Sequence, residues 1–210
     1  MIADQKRTAQ SIINIFETGS PDGDYAKVTV LRGDPGHLTY GRSQTTLASG
    51  NLHRLLRDYC KADGAKYAAA LSPYLTAIAD APGNANLMTR LDGNRVLRKA
   101  LRQAGSDPVM RQVQDAFFDR VYWTPAVNAA AKDGLVLPLS VAVVYDSVVH
   151  GSWAAMRRRV LIRLGSVETV GETAWITKYV AVRRYWLANH SIRGEKVRGT
   201  SFHRWKPLAW

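Results

Sequence analysis

The alternation of apolar and polar positions predicts most of this chain's elements. Between Asp4 and Glu17, the residues Ala9, Ile12, Ile13 and Phe16 recur at i, i+3, i+4 and i+7, one face of a helix. "GSPDGD" then stops it with glycine, proline and aspartate. "YAKVTVL" alternates, Val28 and Val30 on one face and Lys27 and Thr29 on the other, and predicts a short strand. The turn "RGDPGH" and a second short strand, "LTYG", complete a β-hairpin. Beyond it the pattern is helical. "NLHRLLRDYC" places Leu52, Leu55, Leu56 and Tyr59 on one face, and further helical patterns cover 65–79, 87–104, 108–131, 139–149, 153–164 and 171–188. Neither an internal repeat nor a low-complexity linker interrupts them. The expected fold is α+β and mainly α-helical, with a small β-hairpin beside a cleft. Residues 1–210 are expected to form a single domain of two lobes whose boundary the sequence does not mark.

Composition narrows the classes. A hydrophobic content of 46% and a charged content of 22% are those of a globular protein with a core. The single cysteine, Cys60, allows no internal disulfide and is read as a small core residue. The N-terminal "MIADQKRTAQSIINIF" carries Asp4 and no long apolar run, so no signal peptide is read there, and synthesis in the cytoplasm is expected. No stretch approaches the length of a membrane span.

Charge changes the picture more. The formal net charge of +12 points to a polyanionic partner: nucleic acid, an anionic membrane surface or an anionic cell-wall polymer. Basic residues are densest in "MRRRVLIR" and "IRGEKVRGTSFHRWK". No helix-turn-helix, zinc or RNA-recognition motif accompanies them, so no nucleic acid is expected. No His/Cys/Asp cluster has metal-ligand spacing and no glycine-rich phosphate loop occurs, so neither metal nor cofactor is expected. His150, before a glycine, reads as a packed helix-end residue.

Two carboxylates hold the candidate chemistry. Glu17 falls in the last turn of the first helix, where the carbonyl dipole and the apolar neighbours Ile13 and Phe16 both raise a carboxyl pKa. Asp34 lies in a turn rich in N–H groups beside Arg32, which favours its ionised form. Carboxyls held in opposite protonation states are what glycosidic hydrolysis uses, one as acid and one as base. On these residues alone the plain alternative stands. Glutamate at a helix end and aspartate before Pro-Gly are ordinary turn residues.

Their surroundings resemble the N-terminal motif of the family 46 chitosanases, glycoside hydrolases of the lysozyme superfamily: Glu17, Tyr25, Asp34, then Thr39 five residues on and "YG" at 40–41. "SGNLHRLLRDYC" looks like the family's cleft helix, "VVYDSVVHG" with Asp146 is similar to a later segment, and "YVAVRRYWL" resembles the helix whose arginine pairs with that aspartate, here Arg183. Arg198 is the candidate third member of that ion network. The resemblance implies a lysozyme-like two-lobed fold, Glu17 as general acid, Asp34 as general base and Thr39 as holder of the attacking water, with inversion at the anomeric carbon. Tyr25, Tyr40 and Arg42 are expected to line the cleft, the tyrosines as sugar platforms and Arg42 for a carboxylate, and His37 to contact substrate.

The departures matter. The chain has "DPGH" where the family has "DGRG", and Asn51 stands where the family binds a substrate ammonium with aspartate. An amide suits a neutral N-acetyl group, and a basic protein is repelled by polycationic chitosan. Both features move the expected substrate to bacterial peptidoglycan, cut by a monomeric, muramidase-like enzyme. Such an enzyme would reach the wall through a phage pore, as an endolysin, or through a secretion system. Chitosan hydrolysis and a non-catalytic basic wall- or nucleic-acid-binding protein are the alternatives.

Overall fold

The computed structural model describes residues 3–42, 44–189, 191–192 and 195–196. By contacts the chain divides into two compact units: Glu17–Asp119, and a second assembled from the stretches on either side of it. Helix α1 (Ala3–Thr18) begins in the second and ends in the first.

Within Glu17–Asp119, β1 (Val28–Thr29), β2 (Thr39–Tyr40) and β3 (Thr45–Thr46) form an antiparallel sheet with β2 central. Thr39 pairs with Thr29 and Thr46, and Tyr40 with Val28 and Thr45. The predicted strand over 25–31 is thus two residues long, because its ends are spent on turns: Lys27 N–H donates to Asp24 O, and Leu31 O accepts from Asp34. Helices α2 (Asn51–Cys60), α3 (Ala68–Leu71), α4 (Leu75–Ala79), α5 (Ala85–Asp92), α6 (Arg95–Ala104) and α7 (Pro108–Phe118) follow. Leu52, Leu55, Leu56 and Tyr59 of α2 are all buried, as their spacing predicts.

Local chemistry explains where the longer predicted helices break. Pro73 turns 65–79 through a single 3-10 turn between α3 and α4. Asn94 cuts 87–104 in two, its side chain accepting from Leu97 N–H to cap α6. Asp107 caps α7 at Val109 N–H and anchors the unit: Tyr59 Oη and Lys66 N–H also donate to it, at 2.6 and 3.0 Å. Burial opposes the Asp107 charge, but the Tyr59 and backbone hydrogen bonds outweigh it and hold the carboxyl below its ordinary pKa.

The second unit continues through a π-turn (Asp119–Trp123) into α8 (Thr124–Lys132), α9 (Pro138–Val149), α10 (Trp153–Leu164), α11 (Val167–Val170), α12 (Glu172–Asn189) and the pair β4 (Ser191–Ile192) and β5 (Glu195–Lys196). Pro125 explains the π-turn. It offers no N–H and its ring clashes one turn back, so a helix over 108–131 must widen there. The core of this unit joins Ala9 and Ile13 of α1 to Trp123, Tyr145, Trp153, Met156, Trp175 and Tyr179. Trp175 and Tyr179 stack at 5.7 Å. Among the described residues no helix is long and apolar enough to cross a membrane.

Candidate active site

Asp34 opens a tight turn. Its Oδ1 accepts from Gly36 N–H at 2.9 Å, and its carbonyl accepts from His37 N–H at 3.2 Å. Gly33 takes the left-handed φ of +80° that starts the turn. The far side is tied to α5: Asp92 receives Leu38 N–H at 2.8 Å and lies 2.7 Å from His37 Nδ1. His37 is therefore no freely solvated turn residue. Its Nδ1 edge is occupied, and it adopts a left-handed φ of 57°.

Thr39 follows on β2, 5% exposed. Its Oγ1 lies 2.9 Å from Gln44 Oε1 and 3.3 Å from Thr29 O. Glu17 occupies the last turn of α1. Glu17 and Asp34 both belong to the Glu17–Asp119 unit.

Two expectations are corrected. Tyr40 is fully buried, and burial pushes its phenol far above the ordinary tyrosine range. It is a core residue and offers no face to a sugar. Arg42 is 8% exposed and already paired: Nη1 is 2.6 Å from Asp115 Oδ1 and 3.2 Å from Tyr25 Oη. Its guanidinium sits 5.7 Å from the Tyr25 ring centroid and 6.0 Å from that of Phe118. A guanidinium so engaged holds the sheet to α7 and is not available to a substrate carboxylate.

Tyr25 is half-buried in the same cluster. Its hydroxyl donates to Asp115 Oδ1 at 2.9 Å, and Arg111 also lies over its ring, at 5.6 Å. Burial, partly offset by Arg42, raises its pKa. Asn51 opens α2 and accepts from Arg54 Nη1 at 3.1 Å.

Sequence reasoning missed Asp92, Asp115, Gln114 and Gln44. Gln114 is fully buried and clamps the hairpin, donating to Tyr25 O and accepting from Arg42 N–H. Arg111, Gln114 and Asp115 at i, i+3 and i+4 on one face of α7 were the available signal for that polar seam.

In the other unit, Arg183 Nη1 is 2.5 Å from Asp146 Oδ2, both side chains 5% exposed, and Arg183 Nε donates to Ser152 Oγ at 3.1 Å. His150 caps α9 beside them. Burial first, and the Arg183 charge second, depress its pKa to about 4. Arg198 lies outside the described residues. Among the described residues no group of His, Cys, Asp and Glu is arranged to hold a metal.

The model of glycosyl hydrolase family 46 matches residues 11–204. The chitosanase of Bacillus subtilis strain 168 is 30% identical over 206 residues, covering 91% of this chain and 72% of that protein. The Gynuella sunshinyii chitosanase in complex with chitotetraose superposes with a TM-score of 0.79 at 25% identity, over 99% of this chain and 84% of that one. Native chitosanase from Bacillus subtilis MY002 gives 0.77 at 25% identity, over 98% and 84%. The fold is therefore the mainly helical, lysozyme-like one that the resemblance implied. Because the family match runs through both units and the 30% relative spans most of either sequence, the chain belongs to glycosyl hydrolase family 46 and is a glycoside hydrolase.

Proposed function

We propose that this enzyme is a chitosanase, cleaving the bonds between glucosamine units of chitosan. The observation that carries the reading is the match to chitosanases along nearly the whole chain. The match runs through both units and supports one catalytic domain over residues 1–210. Two supports of the peptidoglycan reading weaken, the expected Arg42 contact and the net charge. Arg42, the intended partner of a wall carboxylate, is buried against Asp115. The excess positive charge lies mostly outside Glu17–Asp119, where 13 Lys and Arg meet 11 Asp and Glu. That unit exposes Asp22, Asp24, Asp63 and Asp80, carboxylates suited to protonated amines.

In the mechanism Glu17 protonates the leaving glycosidic oxygen while Asp34 takes a proton from a water held at Thr39. The water oxygen bonds to the anomeric carbon as the glycosidic bond breaks, inverting the centre. The Gly36 N–H bond to Asp34 Oδ1 fixes the orientation of that carboxylate in the turn.

Asn51 alone favours a second reading, the glycan strand of peptidoglycan, since its amide suits an N-acetyl group. One experiment separates them: parallel digestion of chitosan and peptidoglycan, with products read by mass spectrometry beside Glu17→Gln. Glucosamine oligomers that disappear in the variant support the chitosanase. Muropeptides with new reducing ends would establish the wall hydrolase instead, and no product from either polymer would overturn both.

A further inference from the structure

Thr39 has one hydroxyl proton and two neighbours that can only accept it, Gln44 Oε1 at 2.9 Å and Thr29 O at 3.3 Å. The orientation of the Gln44 amide is fixed at its other end. Nε2 donates to Gly41 O at 3.0 Å, and turning the amide over would set two oxygens against each other. Gln44 also holds a φ of 53°, a left-handed conformation that a side-chain-bearing residue adopts at a cost and keeps only where its contacts hold it. A glycine would take that backbone without strain, so the side chain is what the position retains.

We propose that Gln44 is a positioning residue of the hydrolytic reaction, acting through Thr39. By taking the Thr39 proton it leaves that hydroxyl with acceptor capacity alone. A water at Thr39 must then donate one proton to Oγ1, keeps its other proton for Asp34, and turns a lone pair toward the anomeric carbon. Thr39 is 5% exposed, so the group that reaches its oxygen is small, a water rather than a sugar. This inference rests on the reading of Thr39 as the holder of the attacking water.

The test is a double-mutant cycle on purified protein, using the polymer that the wild type cleaves and measuring kcat, KM and Tm for Thr39→Val, Gln44→Leu and the pair. Each single change is expected to lower kcat about 10-fold with KM within about two-fold, and the pair to lose no more than Thr39→Val alone. Gln44→Gly supplies the readout that a structural role would not give. It relieves the left-handed φ, so Tm should stay within about 2 °C of wild type while kcat falls as in Gln44→Leu. Multiplying losses in the pair, or wild-type kcat in Gln44→Gly, would overturn the positioning role and leave Thr39 standing. Wild-type kcat in Thr39→Val would overturn the water-holding reading and this inference with it.

Discussion

Residues 17–119 carry 13 Lys and Arg against 11 Asp and Glu, whereas the stretches flanking them carry 16 against 6. The chain's +12 is therefore mostly a property of the unit that lacks both proposed catalytic carboxylates. The two units also use arginine differently. In Glu17–Asp119, Arg42 is spent on Asp115 and Tyr25, and Asp92 and Asp107 are spent on backbone N–H groups and ring or phenol partners. In the other, Arg158, Arg159 and Arg163 stand exposed on α10 while Arg183 is buried against Asp146. Net charge is a sum over the surface, and a substrate's encounter depends on the charges within a Debye length of its own path, about 10 Å at 0.1 M salt. A total charge therefore does not by itself name a polyanionic substrate.

The contrast can be broken most sharply at Glu17. Glu17→Gln is expected to lower kcat about 1000-fold, roughly 4 kcal/mol of barrier, with Tm unchanged, as steady-state kinetics and calorimetry would show. A Tm that falls with kcat would return Glu17 to a structural helix end. Asp146→Asn should do the reverse. Leaving Arg183 buried without its carboxylate costs about 3–5 kcal/mol in denaturant unfolding, and kcat per folded molecule is retained at low temperature.

His150 gives the second unit a pH dependence of its own. Its folded-state pKa of about 4 lies below the ordinary 6.5, so the stabilisation is fully present above pH 6.5 and drains as pH falls toward 4. The loss over that window is roughly 3 kcal/mol, and His150→Gln should flatten it in urea melts taken across the range. Identical profiles for variant and wild type would remove His150 from the account. The smallest effect is expected from replacing Arg158, Arg159 and Arg163 together by Gln. The kcat/KM on chitosan should rise about 2-fold at low salt, with the gain lost near 0.3 M salt. A fall instead would mean that the basic face of α10 assists turnover.

Much of this was legible in the chain. The span of α10 follows from periodicity and Gly or Ser stops, while α9 starts one residue earlier and α12 starts and ends one residue later than expected. The long pattern over 108–131 misled because apolar periodicity carries across a proline that the backbone cannot ignore. Glu17 at a helix end and Asp34 in a turn are local features, and local sequence revealed them. Tyr40 and Arg42 were misplaced for the opposite reason. They are two positions apart and so share a strand-like face, but what covers that face is α7, more than 70 residues on in the chain. Strand alternation tells which residues share a side, not which side is buried.

The composite second unit has a consequence for biosynthesis. Helix α1 is translated long before its packing partners, since Ala9 and Ile13 bury against residues that begin at Trp123 and extend to Val182. At roughly 5–20 residues per second, its apolar face waits on the order of 5–20 s before the first of those partners is made. Residues 17–119 meet no such delay, since their sheet and helices follow one another in the chain. The helix bearing the proposed acid thus leaves the ribosome before residues 17–119 yet is secured after them. Until then it is a ready target for chaperones or proteases.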